Sequence, residues 1–328
     1  MKQQKDKKID VSVIIPASNY SDYMARALDC LAQEQFRGTF EVILVISPST
    51  DDVIERSWSY REKIRNLNII TVSSPFHALN NRLIGVKAAQ GKYLYFMDAD
   101  DTVSPFLLQR CFDTAEKNEA DIVCFNFTLL YKKKKGEGIK KVVYPFHKHR
   151  KYNTIQGLRA LFQDIYIRGF FWNKFYKREL FSHKPLLRYD YMFEDCVFNV
   201  GLFYYAKKTV LIPDSLYFYN KTEEGSSTSV KRTTRTFWHL GGFFAARYFL
   251  EQKDDAKALR AMKSQMWRIW LSLQYDFRLD KENGCDEEYI MAMKTSFQVL
   301  KDFSSHLNTG RILYGELLDK ALYSDENL

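Results

Sequence analysis

Asp98, Asp100 and Asp101 place three carboxylates within four residues, Asp98-Ala99-Asp100-Asp101, at the end of the apolar run Tyr93 to Met97. In an extended chain residues two apart point the same way, so Asp98 and Asp100 converge on one side. Carboxylates this close repel, and burying part of their charge is costly without a cation. A hard ion, Mn²⁺ or Mg²⁺, meets that need through one or two carboxylates plus the phosphates of a substrate. The alternative is an acidic helix cap before Ser104-Pro105, since carboxylates favour that helix end. Placement at a strand's carboxyl end favours the metal site. A second acidic pair, Glu194-Asp195, follows Tyr191-Met192-Phe193 and opens a helical stretch. A carboxylate there tends to stay ionised and could act as a base, or it could serve only to cap the helix. The third feature is Trp172-Asn173-Lys174, with Tyr176 and Arg178. Its indole suits a sugar face or a packed core. The six histidines form no ligand spacing, and His147-Lys148-His149 lies in a basic loop.

Alternating strand and helix patterns would position these residues. Val11 to Ile15 is an apolar run closed by Pro16, as expected of a central parallel strand. Asn19 or Ser21 can cap a helix to about Gln33, with Met24, Ala27, Leu28 and Leu31 at helical spacing. Strands are predicted at Phe40 to Ile46, Asn68 to Val72 and Tyr93 to Met97, with helices at Asp52 to Ile64 and Leu79 to Ala89 between them. Gly91 reads as a helix stop. The alternation implies a parallel sheet with helices on both faces, and ligands in such sheets bind beyond the carboxyl ends of the strands. Ala17-Ser18-Asn19 and Asp98 to Asp101 both lie there.

Beyond Asp101 the pattern is mixed: helix from Pro105 to Asn118, then a strand at Asp121 to Phe127 and another at Lys141 to Tyr144. Helices are predicted at Ile155 to Asp164 and Cys196 to Ala206, and strands at Val210 to Ile212 and Leu216 to Tyr219. From about Thr233 the chain reads as helical, so a catalytic domain is predicted over 1–230 and a helical region over 231–328.

The net charge of +9 favours anionic partners such as nucleotides, phosphorylated lipids or an anionic bilayer. Nucleic acid is set aside, because no zinc-finger spacing, RNA-recognition signature or helix-turn-helix pattern accompanies the charge. Five scattered cysteines without a CxxC pair point to buried thiols in a reducing compartment. The charged start MKQQKDKKID has no apolar signal core, and no stretch is long and apolar enough to span a bilayer. A cytoplasmic protein is expected, or one attached peripherally at the inner face of the cell membrane. Trp238, Phe243, Phe244, Tyr248, Phe249, Trp267 and Trp270 could supply that contact, or pack onto the catalytic domain.

Together these motifs resemble the family 2 inverting glycosyltransferases. The resemblance runs from about Asp10 to Thr228, roughly two-thirds of the chain. It rests on VSVIIPASN at Val11 to Asn19, EVILV at Glu41 to Val45 and GKYLYFMDADD at Gly91 to Asp101. WNKFYKREL at Trp172 to Leu180, FEDCVF at Phe193 to Phe198 and the closing Ala206 to Thr228 extend it. The resemblance implies the GT-A fold, a Rossmann-like mixed sheet flanked by helices, and transfer of a sugar from a nucleotide diphosphate, with a UDP-sugar as donor. It implies Mn²⁺ or Mg²⁺ as cofactor and a cell-surface glycan or lipid-linked acceptor. By the same resemblance Pro16 and Asn19 lie in the nucleotide loop, Asp98 lies near the ribose, and Asp100 is the metal ligand, helped by Asp98. Asp101 supports them, and Arg82 stands close to the donor. Asp195 is the general base, while Glu194 and Trp172 face the acceptor.

The sequence departs from the family at two places. Where VDDGS is usual after the second strand, Val45-Ile46-Ser47-Pro48-Ser49 carries neither acid, and Leu83 stands where an ARN segment has its Asn. Both changes fall on the nucleotide pocket, so a catalytically degenerate sugar- or nucleotide-binding scaffold is the alternative reading. A dinucleotide oxidoreductase would need a glycine-rich turn that PASNY does not offer. A glycoside hydrolase would need paired carboxylates but neither the acidic triplet nor a nucleotide pocket.

Overall fold

In the computed structural model of the chain, Val11–Ala17 forms β1, a strand buried along its whole length between two parallel neighbours. The structure describes residues 8–19, 21–132, 139–144, 148–183, 193–221 and 234–305. In chain order the remaining strands are β2 (Phe40–Ile46), β3 (Leu67–Thr71), β4 (Tyr93–Phe96), β5 (Thr102–Val103) and β6 (Ile122–Lys132). They continue as β7 (Ile139–Tyr144), β8 (Arg150–Tyr152), β9 (Lys174–Lys177) and β10 (Thr209–Lys221). Helices α1 (Ser21–Ala32), α2 (Val53–Ser59), α3 (Ala78–Ala88) and α4 (Leu107–Asn118) alternate with the early strands. Helices α5 (Thr154–Gln163) and α6 (Glu194–Tyr205) follow, then α7 (Arg235–Gln252), α8 (Ala256–Lys263), α9 (Met266–Glu282) and α10 (Glu287–Ser305).

The described residues divide into two compact units. The first holds those of Met1–Gly157, Phe170–Leu186 and Leu202–Ser226; the second holds those of Leu158–Gly169, Leu187–Gly201 and Ser227–Leu328. All ten strands of the first unit join one mixed sheet in the order β3-β2-β1-β4-β9-β6-β10-β5, with β7 on β6 and β8 on β10. β1 to β4 are parallel, β9 runs antiparallel to both β4 and β6, and β10 returns parallel to β6.

Val11, Val13 and Ile15 of β1 pack in one core with Met24, Ala27, Leu28 and Leu31 of α1 and with Leu107, Leu108 and Cys111 of α4. Burying each of the larger of these side chains stabilises the fold by about 1.5–3 kcal/mol. On the other face Gly85 of α3 backs onto Ile14. The helix stop expected at Gly91 is not what that glycine does. Helix α3 has already ended at Ala88, and Gly91 lies so close to the Ser12 backbone that a Cβ would overlap its amide nitrogen. Ser12 Oγ accepts from the Gly91 amide and donates to Glu41 Oε1, which also accepts from the Gln90 amide, so the buried polar groups are partnered.

The two strands expected at 210–212 and 216–219 are one, β10, with irregular register between Ile212 and Tyr217. Strand β9 was not expected as a strand: four residues with lysine at both ends carry too little alternation to be read. The boundary expected near residue 230 lies outside the described residues.

In the second unit Phe243, Phe249, Leu250, Trp270, Leu273 and Phe297 are buried. Trp270 and Phe297 meet edge to face at 4.9 Å. Asp280 of α9 caps α7, accepting from the amides of Arg235 and Thr236, both at 2.8 Å. Tyr289 Oη takes the Phe237 amide at 3.1 Å, so three of the four orphan amides of α7 are satisfied by residues of α9 and α10. No helix among the described residues is long and apolar enough to cross a membrane.

Candidate active site

The pairing of β4 with β1 ends at Phe96, after which the Met97 amide still donates to Ile14 O at 3.1 Å. Asp98, Asp100 and Asp101 follow in a turn held from β10. The Asp98 amide donates to Tyr217 Oη, and that hydroxyl donates to Asp101 Oδ2 at 2.5 Å. The Asn220 amide donates to Asp101 Oδ1 at 2.7 Å, and Asn220 Nδ2 donates to the Asp100 carbonyl at 3.1 Å. Asp101 is fully buried, and that burial, with Asp100 and Asp98 beside it, pushes its carboxyl well above the usual range. Through those two hydrogen bonds it ties the turn to β10. These acids are no helix cap: α4 starts six residues after Asp101, and its Leu108 amide donates instead to Glu34 Oε1 at 2.9 Å.

Asp98 and Asp100 have different partners. Asp98 Oδ1 accepts from Arg82 Nη2 at 2.7 Å, and the Arg82 guanidinium lies 5.2 Å from the Phe171 ring centroid. No described cation forms a close ion pair with the Asp100 carboxylate; burial followed by repulsion from Asp98 raises its pKa to about 6, against a smaller opposing pull from the Arg26 charge. The described residues contain no group of three His, Cys, Asp or Glu side chains able to hold a metal. A metal cage made by protein alone is therefore not what the turn offers. A carboxylate that is costly to ionise beside a second acid does fit a divalent cation whose other ligands are substrate phosphates.

Pro16 is buried in β1, two residues beyond Ile14, whose pairing with Phe96 is the last between β1 and β4. Ala17 O faces β2, accepting from Ser47, so by alternation the missing donor of Pro16 faces the side where the ladder has stopped. Asn19 adopts a left-handed φ of 52°, which Asn tolerates. Its side chain turns to the segment after β2. Oδ1 accepts from Thr50 N at 2.6 Å and from Thr50 Oγ1 at 3.0 Å, while its amide donates to Ser49 Oγ at 3.1 Å. The segment lacking the two acids is thus laced to the end of β1 by neutral groups. Beneath it Asn81, fully buried, donates to Val45 O and Ser47 Oγ, and its Oδ1 is left without a partner.

The reading of Trp172 as an acceptor contact is corrected by its burial. The indole is 5% exposed and stacks on Phe170 at 4.7 Å and on Tyr217 at 4.4 Å, so it offers no face to a sugar and instead backs the tyrosine that holds Asp101. Tyr217 and Asn220 were not singled out in the sequence. Their only sign there is their place in the closing segment shared with the family.

Glu194 and Asp195 belong to the second unit and open α6. Asp195 Oδ1 accepts from the Cys196 amide at 2.8 Å. Asn199, fully buried, donates through Nδ2 to Asp195 O and to Gly169 O. Gly169 must be glycine, since a Cβ there would overlap Cys196 Sγ. Phe193, just before the pair, has a φ of 70°, unusual for an aromatic residue.

The family model described as Glycosyl transferase family 2 matches residues 12–185. The uncharacterized glycosyltransferase EpsJ of Bacillus subtilis (strain 168) is 29% identical over 222 residues, 64% of this chain and 61% of that protein. This chain spans about three fifths of the length of the first such curated relatives. Among solved structures, S. aureus TarS 1-349 in complex with UDP-GlcNAc superposes with a TM-score of 0.72 at 19% identity, over 95% of this chain and 87% of that one. A mannosyltransferase from Pyrobaculum calidifontis, in complex with GDP-Man and Mn²⁺, superposes with a TM-score of 0.54 at 13% identity, over 99% of this chain and 92% of that one. At those identities the superpositions establish the shared fold.

Proposed function

The chain belongs to glycosyl transferase family 2, and from that premise we propose that it moves a sugar from a UDP-sugar to a hydroxyl of a cell-surface glycan or lipid-linked acceptor, with inversion. The observation that carries the proposal is the turn after β4, where Asp98 is neutralised by Arg82 and Asp100 forms no close ion pair with a described cation. The UDP-GlcNAc of the TarS complex supports a uridine donor by analogy of fold. A peripheral position at the inner face of the membrane accords with a lipid-linked acceptor.

Asp195 acts as the base in this reading. Its carboxylate takes the proton of the acceptor hydroxyl as that oxygen bonds to the anomeric carbon. The bond from that carbon to the diphosphate oxygen breaks on the opposite face, so one displacement inverts the configuration. Glu194 orients the acceptor. Asp100, with the free oxygen of Asp98, would hold Mn²⁺ or Mg²⁺, which supplies charge neutralisation at the departing diphosphate. Arg82 fixes Asp98, and Asp101, through Tyr217 and Asn220, fixes the turn that carries both acids. The neutral Asn19, Ser49 and Thr50 lacing forms the nucleotide pocket together with Pro16.

The test is a thermal-shift panel of UDP-, GDP-, CDP- and dTDP-sugars with Mn²⁺ and with EDTA. A donor at a hundred times its Kd stabilises the native chain by about 2.7 kcal/mol, and that gain is expected with a UDP-sugar and Mn²⁺ only. It should vanish in Asp100→Ala and survive in Asp195→Asn, which in turn should lose most of its turnover. No shift with any donor would favour the scaffold reading, which the missing acids after β2 motivate.

A further inference from the structure

Phe193 is the residue from which α6 departs, since its carbonyl accepts from the Val197 amide at 3.1 Å. It has no side-chain oxygen with which to cap the helix, and its φ of 70° is a strained conformation for a residue with a Cβ. Such a conformation persists only where its surroundings impose it. Here they grip the ring. The His239 imidazole stacks on it with centroids 4.6 Å apart, and the Arg235 guanidinium sits 5.3 Å from its centroid.

One carboxylate holds both of those groups. Asp276 Oδ1 accepts from Arg235 Nε at 2.5 Å, and Asp276 Oδ2 lies 2.8 Å from His239 Nδ1. Its side chain is 3% exposed, so this anion is sheltered from solvent and its two partners are fixed in place. Every group in the chain of contacts, from Asp276 through His239 and Arg235 to Phe193, lies within the second unit. Two residues after the ring in the chain stands Asp195.

We infer that Asp276, His239 and Arg235 are positioning residues that set the direction of the Asp195 carboxylate by fixing Phe193 at the start of α6. The inference rests on the reading of Asp195 as the base. It makes helices α7 and α9 part of the catalytic apparatus.

The experiment uses the full chain with His239→Leu and, separately, Asp276→Asn, each made in the wild-type and in the Asp195→Asn background. His239→Leu fills a partly buried position with an apolar side chain and leaves the buried Asp276 carboxylate paired with Arg235. Hydrogen exchange at the Cys196 and Val197 amides should quicken by about tenfold in both variants, with exchange late in α6 unchanged. Unchanged exchange at those amides would overturn the proposal whether or not a substrate is at hand. With UDP-N-acetylglucosamine and Mn²⁺, UDP release should lose about tenfold in kcat with KM held within about twofold. In the Asp195→Asn background the same substitutions should cost less than about twofold, because residues acting through one another are not additive. Equal losses in both backgrounds would reduce the cluster to a purely structural role. Wild-type turnover in Asp195→Asn alone would instead overturn the base assignment.

Discussion

Asp100 and Asp101 are adjacent carboxyls with opposite tasks. Asp101 is buried under two donors, while Asp100 is left to ionise near pH 6 by burial and by Asp98. A metal ligand must be deprotonated, so a proton competes with the ion below that value. Affinity for Mn²⁺, measured by calorimetry in the presence of the nucleotide, should be level above about pH 7 and fall by up to about tenfold per pH unit below about pH 6. A flat profile across that range would remove Asp100 from the metal site. The acidic triplet itself was legible because three carboxylates after an apolar run conflict with burial unless something answers them. The division of labour within it was not. It depends on Tyr217 and Asn220, which reach Asp101 across sequence separations of 116 and 119 residues. Trp172 misled for a related reason: a sequence gives an aromatic residue's type, while burial decides which faces of its ring are open.

Helices with strong periodicity were read to within a residue or so, as at α1 and α5, because burial on one face writes its period into the chain. Contacts supplied by distant partners were not. Helix α4 has no capping side chain of its own at Phe106, and Glu34 from the end of α1 supplies the acceptor. Burial pushes the Glu34 carboxyl up to about 7, and its Oε2 has no partner. The folded chain therefore keeps a proton that the unfolded chain has already lost. The stability so contributed is complete below the ordinary glutamate range and is lost as the pH rises through about 7. Urea unfolding of wild type and Glu34→Gln at about pH 5 and about pH 8 should show the wild type losing on the order of 1–3 kcal/mol more across the interval. The amide oxygen of the variant still serves Leu108, so the helix remains capped. Asp100 and Asp101 slope the same way and leave the variant some dependence of its own.

At the scale of the whole molecule, the order of motifs along the chain identified the fold, since those of the first unit mark strands β1, β2, β4, β9 and β10 of one sheet. All five cysteines are free thiols, Cys111 and Cys124 buried and the other three partly exposed, with burial raising Cys30 to about 11 and Cys124 to about 12. The melting temperature should then differ by less than about 1 °C with and without reductant, in a scan that would expose any disulfide contribution of ordinary size. Strand β9 has the widest consequence. It lies between β4 and β6, so among the described residues the strand pairing that links the parallel block β3-β2-β1-β4 to the pair β6-β10 runs through it. During synthesis the outer edge of β4 is complete long before Lys174 leaves the ribosome, and at ordinary elongation rates it waits on the order of ten seconds for its neighbour. For that interval the nascent chain carries an open strand edge of apolar residues, the kind that templates association with another copy. A chain stopped before β9 would hold every strand of the parallel block and still lack the piece that closes it, so this protein's exposure to aggregation is set by when four residues arrive.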